Sequence, residues 1–271
     1  MKYRSVLIWI FSLIFTLAIV YYQRATGPTY PVRGKVTIAG QEIKYRLIRT
    51  SEDEGGARVT FKNIPANIQG SIRYKRLNSG DDWRFAEMQR EEGKLVGILP
   101  QQPPAGKLEY FVTLTDGKEI LQLTEEPVII RFKGAVPMYI LLPHILIMFI
   151  AMLMSTLTGL EALTKGKRAY KYAWITVITL FIGGLILGPI VQKFAFGAYW
   201  TGWPFGNDLT DNKTLVAWIF WAIALWRLYR DPANRTWPAI AMILLLLVYL
   251  IPHSMFGSQL DYSTGEVTTG R

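Results

Sequence analysis

Two hydrophobic rhythms divide the chain. Apolar runs near or at membrane-spanning length occupy residues 6–22, 138–163, 172–190, 214–228 and 238–252, whereas residues 23–134 mix charged and apolar positions in short stretches. A hydrocarbon core about 30 Å thick needs roughly 20 helical residues, so the long runs read as helices that cross a bilayer. The intervening region has the grammar of strands. Residues 35–38 and 43–48 alternate on either side of Ala39-Gly40, which predicts a β-hairpin. Residues 58–61, 68–74, 83–88, 95–99, 108–114 and 128–132 are further β-branched or aromatic segments, with breaks at Gly55-Gly56, Ser79-Gly80, Pro103-Pro104 and Asp116-Gly117. So many short strands in about 100 residues predict a β-sandwich.

Within that region, Leu99-Pro100, Gly106 and Tyr110-Phe111-Val112 form a stretch that resembles the tyrosine-corner region of fibronectin type III and immunoglobulin-like domains. The resemblance covers residues 31–134 alone. It implies an all-β sandwich in which the Tyr110 hydroxyl bonds backbone upstream, and a role in binding or spacing more often than in catalysis.

Charge sets the expected orientation. Lys2 and Arg4 precede the first run, and no small-x-small cleavage site follows it, so residues 1–22 read as a retained anchor with a cytoplasmic start. Lys165, Lys167, Arg168 and Lys171 lie between two apolar runs, and Arg227, Arg230 and Arg235 lie between two others. Both loops belong in the cytoplasm by the positive-inside rule. The predicted protein is therefore a five-span inner-membrane protein of bacterial type. It comprises the anchor, an extracytoplasmic sandwich at 23–134, a four-helix transmembrane domain at 135–256 with an external loop at 194–213, and an external polar tail at 257–271. The tail lacks apolar periodicity and reads as mobile unless something holds it.

Composition narrows the function further. The formal net charge of +10 is not concentrated in a basic block: residues 23–134 hold 18 Lys/Arg against 14 Asp/Glu, and much of the rest flanks the apolar runs. That distribution argues against nucleic acid as a partner and for the lipid bilayer. There is no cysteine in the 271 residues, which excludes disulfides, thiolate metal sites and cysteine nucleophiles. No phosphate-binding loop and no HExxH motif occurs.

The remaining candidate chemistry gathers at the expected external face. In the loop after the third run, Trp200, Trp203 and Phe205 suit a membrane boundary, while Asp208, Asp211 and Asn212 do not belong in hydrocarbon. Asp211 has the position of a helix N-cap, and Asp208 is the carboxylate left for proton or cation handling. The two histidines, His144 and His253, each follow a proline near the external end of a run. Two imidazoles on different helices are what a b-type haem needs. A quinone contact, a metal held with Met255 or an aspartate, and plain hydrogen bonding to a neighbouring helix are the other readings. The sequence thus predicts one external pocket formed by His144, His253, Trp200, Trp203, Phe205, Asp208 and Asp211. It predicts a non-catalytic scaffold component that binds other envelope proteins, with a haem- or quinol-linked electron-transfer subunit as the alternative.

Overall fold

The computed structural model describes residues 2–252 and 257–268. The described residues divide into two compact units: a helical one built from residues 2–28 and 136–252 with Gly257, and a β-rich one built from residues 29–135 and 258–268.

The β-rich unit begins with the hairpin β1 (Val32–Ile38) and β2 (Gln41–Leu47), in register with Ile38 opposite Gln41. Ala39 and Gly40 both have positive φ, 51° and 74°, the conformation that a two-residue turn between right-twisted strands requires. A large mixed sheet runs in the order β3 (Thr50–Ser51), β11 (Val128–Phe132), β9 (Lys107–Thr115), β5 (Gln69–Arg76), β6 (Arg84–Glu87), with β10 (Ile120–Gln122) also pairing β9. Three strands, β4 (Ala57–Phe61), β8 (Lys94–Leu99) and β7 (Gln89–Glu91), form a second sheet. One apolar core joins the hairpin and both sheets: Ile38, Leu47, Val59, Phe61, Ile72, Leu95, Leu99, Leu114 and Ile130 all belong to it. The alternation read from the sequence is visible in β9, where Leu108, Tyr110, Val112 and Leu114 are buried and Lys107, Glu109 and Thr113 are partly exposed.

Tyr110 is fully buried and its hydroxyl donates to Ile48 O at 2.8 Å. That acceptor lies in the short link between β2 and β3, 62 residues upstream, whereas a tyrosine corner closes on backbone a few residues upstream. The bond therefore ties the amino-terminal hairpin to the large sheet.

The polar tail is not a separate segment. β12 (Gln259–Leu260) and β13 (Val267–Thr268) pair as a hairpin, and the Leu260 amide donates to Ala105 O at 3.0 Å. Its strands are two residues long and its turn is built from Asp261, Ser263 and Gly265, so no hydrophobic pattern announces it. Tertiary contact with β9 holds it in place.

In the helical unit, α1 (Lys2–Thr26), α2 (Met138–Leu163) and the continuous helix Ala169–Phe196 are long and apolar enough to cross a membrane. That third helix consists of α3 (Ala169–Leu180), a π-helical segment (Phe181–Leu187) and α4 (Gly188–Phe196). α5 (Leu209–Arg230) has 22 residues but carries Asp211, Lys213, Arg227 and Arg230 in its end turns, and α6 (Thr236–Leu250) is apolar but has only 15 residues. At 1.5 Å per residue, α6 is about 22 Å long. Ala151, Ala173, Ala217, Ala224 and Ala241 share one buried cluster with Trp221, the small-residue packing by which apolar helices approach closely. Gly159 of α2 shows how closely: a Cβ there would overlap the Met242 side chain of α6. Met152 and Met154 are buried in these seams as packing residues.

Candidate functional site

The apolar run that suggested a helix start at residue 214 begins five residues too late, because α5 opens with a polar first turn. Its N-cap is Asp208, whose Oδ1 accepts from the Thr210 amide at 2.8 Å and the Asp211 amide at 3.2 Å. The capping role assigned from sequence to Asp211 thus falls to Asp208, three positions upstream. Asp211, freed from that role, reaches back into the loop. Its Oδ2 accepts from the amides of Thr201 at 2.7 Å and Gly202 at 3.0 Å, and Asn212 Oδ1 accepts from the amide of Trp203 at 2.6 Å. Three consecutive loop N–H groups are therefore satisfied by the first turn of α5. Gly202 permits the approach, since a Cβ there would meet Asp211 Cβ at 2.6 Å. Gln192 of α4 completes the arrangement: with its amide oriented to suit both neighbours, the nitrogen donates to Asp211 Oδ1 at 2.8 Å and the oxygen accepts from the Thr201 hydroxyl at 2.6 Å.

The aromatic and acidic residues of the loop part company in the fold. Asp208 and Asp211 are 5% and 6% exposed, while Trp203 and Phe205 are 69% and 84% exposed. Trp200 is half-buried, and its indole donates to Trp203 O at 3.0 Å. The acids form a buried knot behind the loop and the rings project from its surface.

His144 projects from α2 to the π-helical segment, where its Nδ1 meets Gly183 O at 2.9 Å. A carbonyl can only accept, so Nδ1 carries the proton and Nε2 is left as the acceptor. The same carbonyl accepts from Gly188 N in the wide π-turn. His253 lies outside the described residues, as does Met255. Among the described residues, no group of three or more His, Asp or Glu side chains is placed to hold a metal ion.

Several participants carry no sequence motif. Lys213 is buried in α5 and donates to Ile251 O at 2.8 Å, at the end of α6. Glu161, buried at the end of α2, accepts from the amide of Arg168 at 3.3 Å. Gln192 and Thr201 drew no attention because an amide and a hydroxyl near a helix end are ordinary. In the β-rich unit, Arg73, Trp83 and Phe111 form a stack whose only sequence trace is the alternation of Ser71, Arg73 and Lys75 along β5.

No protein-family model, curated protein or solved structure matches the chain.

Proposed function

We propose that the chain is a five-span inner-membrane protein, and that its β-rich unit, an extracytoplasmic sandwich of the immunoglobulin or fibronectin type III kind, acts as a non-catalytic binding or scaffold component of an envelope complex. One observation carries the non-catalytic reading. The described polar groups of the helical unit that suggested chemistry are engaged with backbone, Asp208 with the start of α5, Asp211 with Thr201 and Gly202 and His144 with Gly183, as are the buried charged groups Glu161, with Arg168, and Lys213, with Ile251. Such bonds satisfy orphan groups at helix ends and turns, which is a structural task.

The fold class is supported by strand order. β11-β9-β5-β6 follows the G-F-C-C′ succession of immunoglobulin-like sheets, and β4-β8-β7 follows B-E-D. The span count is supported by connectivity. The chain leaves the β-rich unit at residue 135 and re-enters it at 258, so a unit kept on one side of a membrane requires an even number of crossings between them. On that count α5 and α6 cross together or not at all. The basic loops beside α2 and α5 favour crossing, with both loops cytoplasmic.

The redox alternative is open to a direct test. Full-length protein purified in detergent should show no Soret absorbance, and solubilised membranes should carry it in an assembly larger than the monomer by native sedimentation. A Soret band that disappears in His144→Ala or His253→Ala would overturn the scaffold reading in favour of haem ligation.

A further inference from the structure

We propose that the outward face of β5, β9 and β6 is a docking surface for an acidic, extended polypeptide segment that carries an apolar side chain. The inference rests on the reading of the β-rich unit as a binding module and names the chemistry of its partner.

The face is built around one guanidinium. The Arg73 Cζ sits 4.8 Å from the ring centroid of Trp83 and 4.8 Å from that of Phe111, and the two rings are 5.5 Å apart. Among the described residues no carboxylate lies within ion-pair distance of Arg73. A planar cation held on aromatic faces keeps its charge, is weakly hydrated and is already ordered, so a carboxylate that meets it encounters little further entropic cost. Lys75 lies beside the stack with its Nζ 5.0 Å from the Trp83 ring, and its ion pair with Glu109 across β9, at 3.2 Å, neutralises the acid of this face nearest to the strand of Arg73, so the charge open to a partner is that of Arg73.

Apolar surface adjoins the cations. Phe85 lies opposite Arg73 on β6 and is 70% exposed. An exposed aromatic ring beside an ordered Arg-Trp stack matches the Trp, Phe and Arg enrichment of protein interfaces. Glu87, opposite Ser71, bounds the cationic patch at its other end and would repel an acidic chain there. Its place limits the footprint to the Arg73, Lys75 and Phe85 end. β6 is the last strand of its sheet, so its outer edge is open to a further extended strand.

The test uses full-length protein in zwitterionic nanodiscs. The probe is a fluorescein-labelled twelve-residue peptide of alternating Glu and Ser with one central Phe. Anisotropy titration at low and high salt is compared with a peptide in which every Glu is Gln. The acidic peptide should bind at least tenfold more tightly than its amide counterpart, and the difference should shrink in salt. Arg73→Gln and Phe85→Ser should each weaken it about tenfold, Arg73→Lys should weaken it partially, and Arg58→Gln on the other sheet should have no effect. Thermal unfolding of each variant separates lost binding from lost fold. Equal binding of the two peptides, or indifference to Arg73 and Phe85, overturns the inference. So does Arg73-dependent binding of phosphatidylglycerol vesicles without peptide binding, which would assign the face to a lipid surface. Absence of a Soret band in the same preparation distinguishes failure of this inference from failure of the scaffold reading.

Discussion

Tyr262 and Lys107 are 155 residues apart, yet a single phenol satisfies both backbone groups of the lysine: its oxygen accepts from Lys107 N at 3.0 Å and its hydroxyl donates to Lys107 O at 3.0 Å. Arg76, ion-paired with Asp81, stacks on the same ring at 4.8 Å. Tyr262→Phe should remove both bonds while keeping the ring. A loss of about 1–2 kcal/mol in the β-rich unit is expected, because a half-buried N–H is left without its partner. Hydrogen exchange of the 105–108 backbone checks this, and unchanged protection there would refute it.

Tyr110→Phe should be more costly, about 1–3 kcal/mol, since Ile48 O loses its donor in a fully buried site. Burial also pushes the phenol well above the ordinary tyrosine range. Ultraviolet titration of Tyr110→Phe should therefore match the parent protein until unfolding in alkali. A tyrosinate signal lost from the variant near pH 10 would contradict the placement.

The two loop aspartates should respond in a defined order. Asp208→Ala removes a helix cap, worth about 1 kcal/mol. Asp211→Ala strands the Thr201 and Gly202 amides and the Gln192 side chain, and should cost about 1–3 kcal/mol. Thermal unfolding in detergent, with protease nicking at residues 199–207 as a local readout, tests the ranking; a milder effect at Asp211 would reverse the assignment.

pH should act on the β-rich unit in the same sense in two separate windows, with stability rising as pH rises in each. Burial, and then the charge of Arg131, lower Lys107 from 10.5 to about 8. The folded state thus binds fewer protons than the unfolded state between those values, and stability rises as pH climbs through that window. Lys107→Met should flatten the rise. The Arg76 hydrogen bond lowers Asp81 from 3.8 to about 2, so its contribution is complete above 3.8 and is lost as pH falls through 2. Denaturant midpoints measured across both ranges should slope accordingly, and a fall between pH 8 and 10 that Lys107→Met abolishes would contradict the first assignment.

Topology can be read with single cysteines, since the native chain has none. A cysteine at the exposed Thr264 should react with an impermeant maleimide from outside, and one at Lys167 only after the membrane is opened. Labelling of position 264 solely from the cytoplasmic side would defeat the five-span arrangement.

Much of the architecture was legible because its periodicities are strong. The α2 boundaries, the Ala39-Gly40 hairpin and the main strands follow from apolar spacing and turn residues. The loop was legible only in composition. Asp208, Asp211 and Asn212 could be singled out as polar groups beside apolar runs, but their partners are backbone amides, which have no letter in a sequence. β12 and β13 escaped notice for a related reason: two-residue strands have no periodicity, and their stability comes from Ala105 and Lys107, far upstream.

That hairpin also sets an order of events during synthesis. Residues 29–135 emerge first, then 136–257, and only afterwards the 258–268 segment that occupies the backbone of Lys107. Until the ribosome has made the hairpin and the chain has delivered it, the Lys107 amide at the start of β9 waits without its phenol acceptor, although β9 is already paired with β5 and β11. A chain truncated or stalled within its last helices therefore carries its defect, one backbone amide without its partner, into a region made more than a hundred residues earlier.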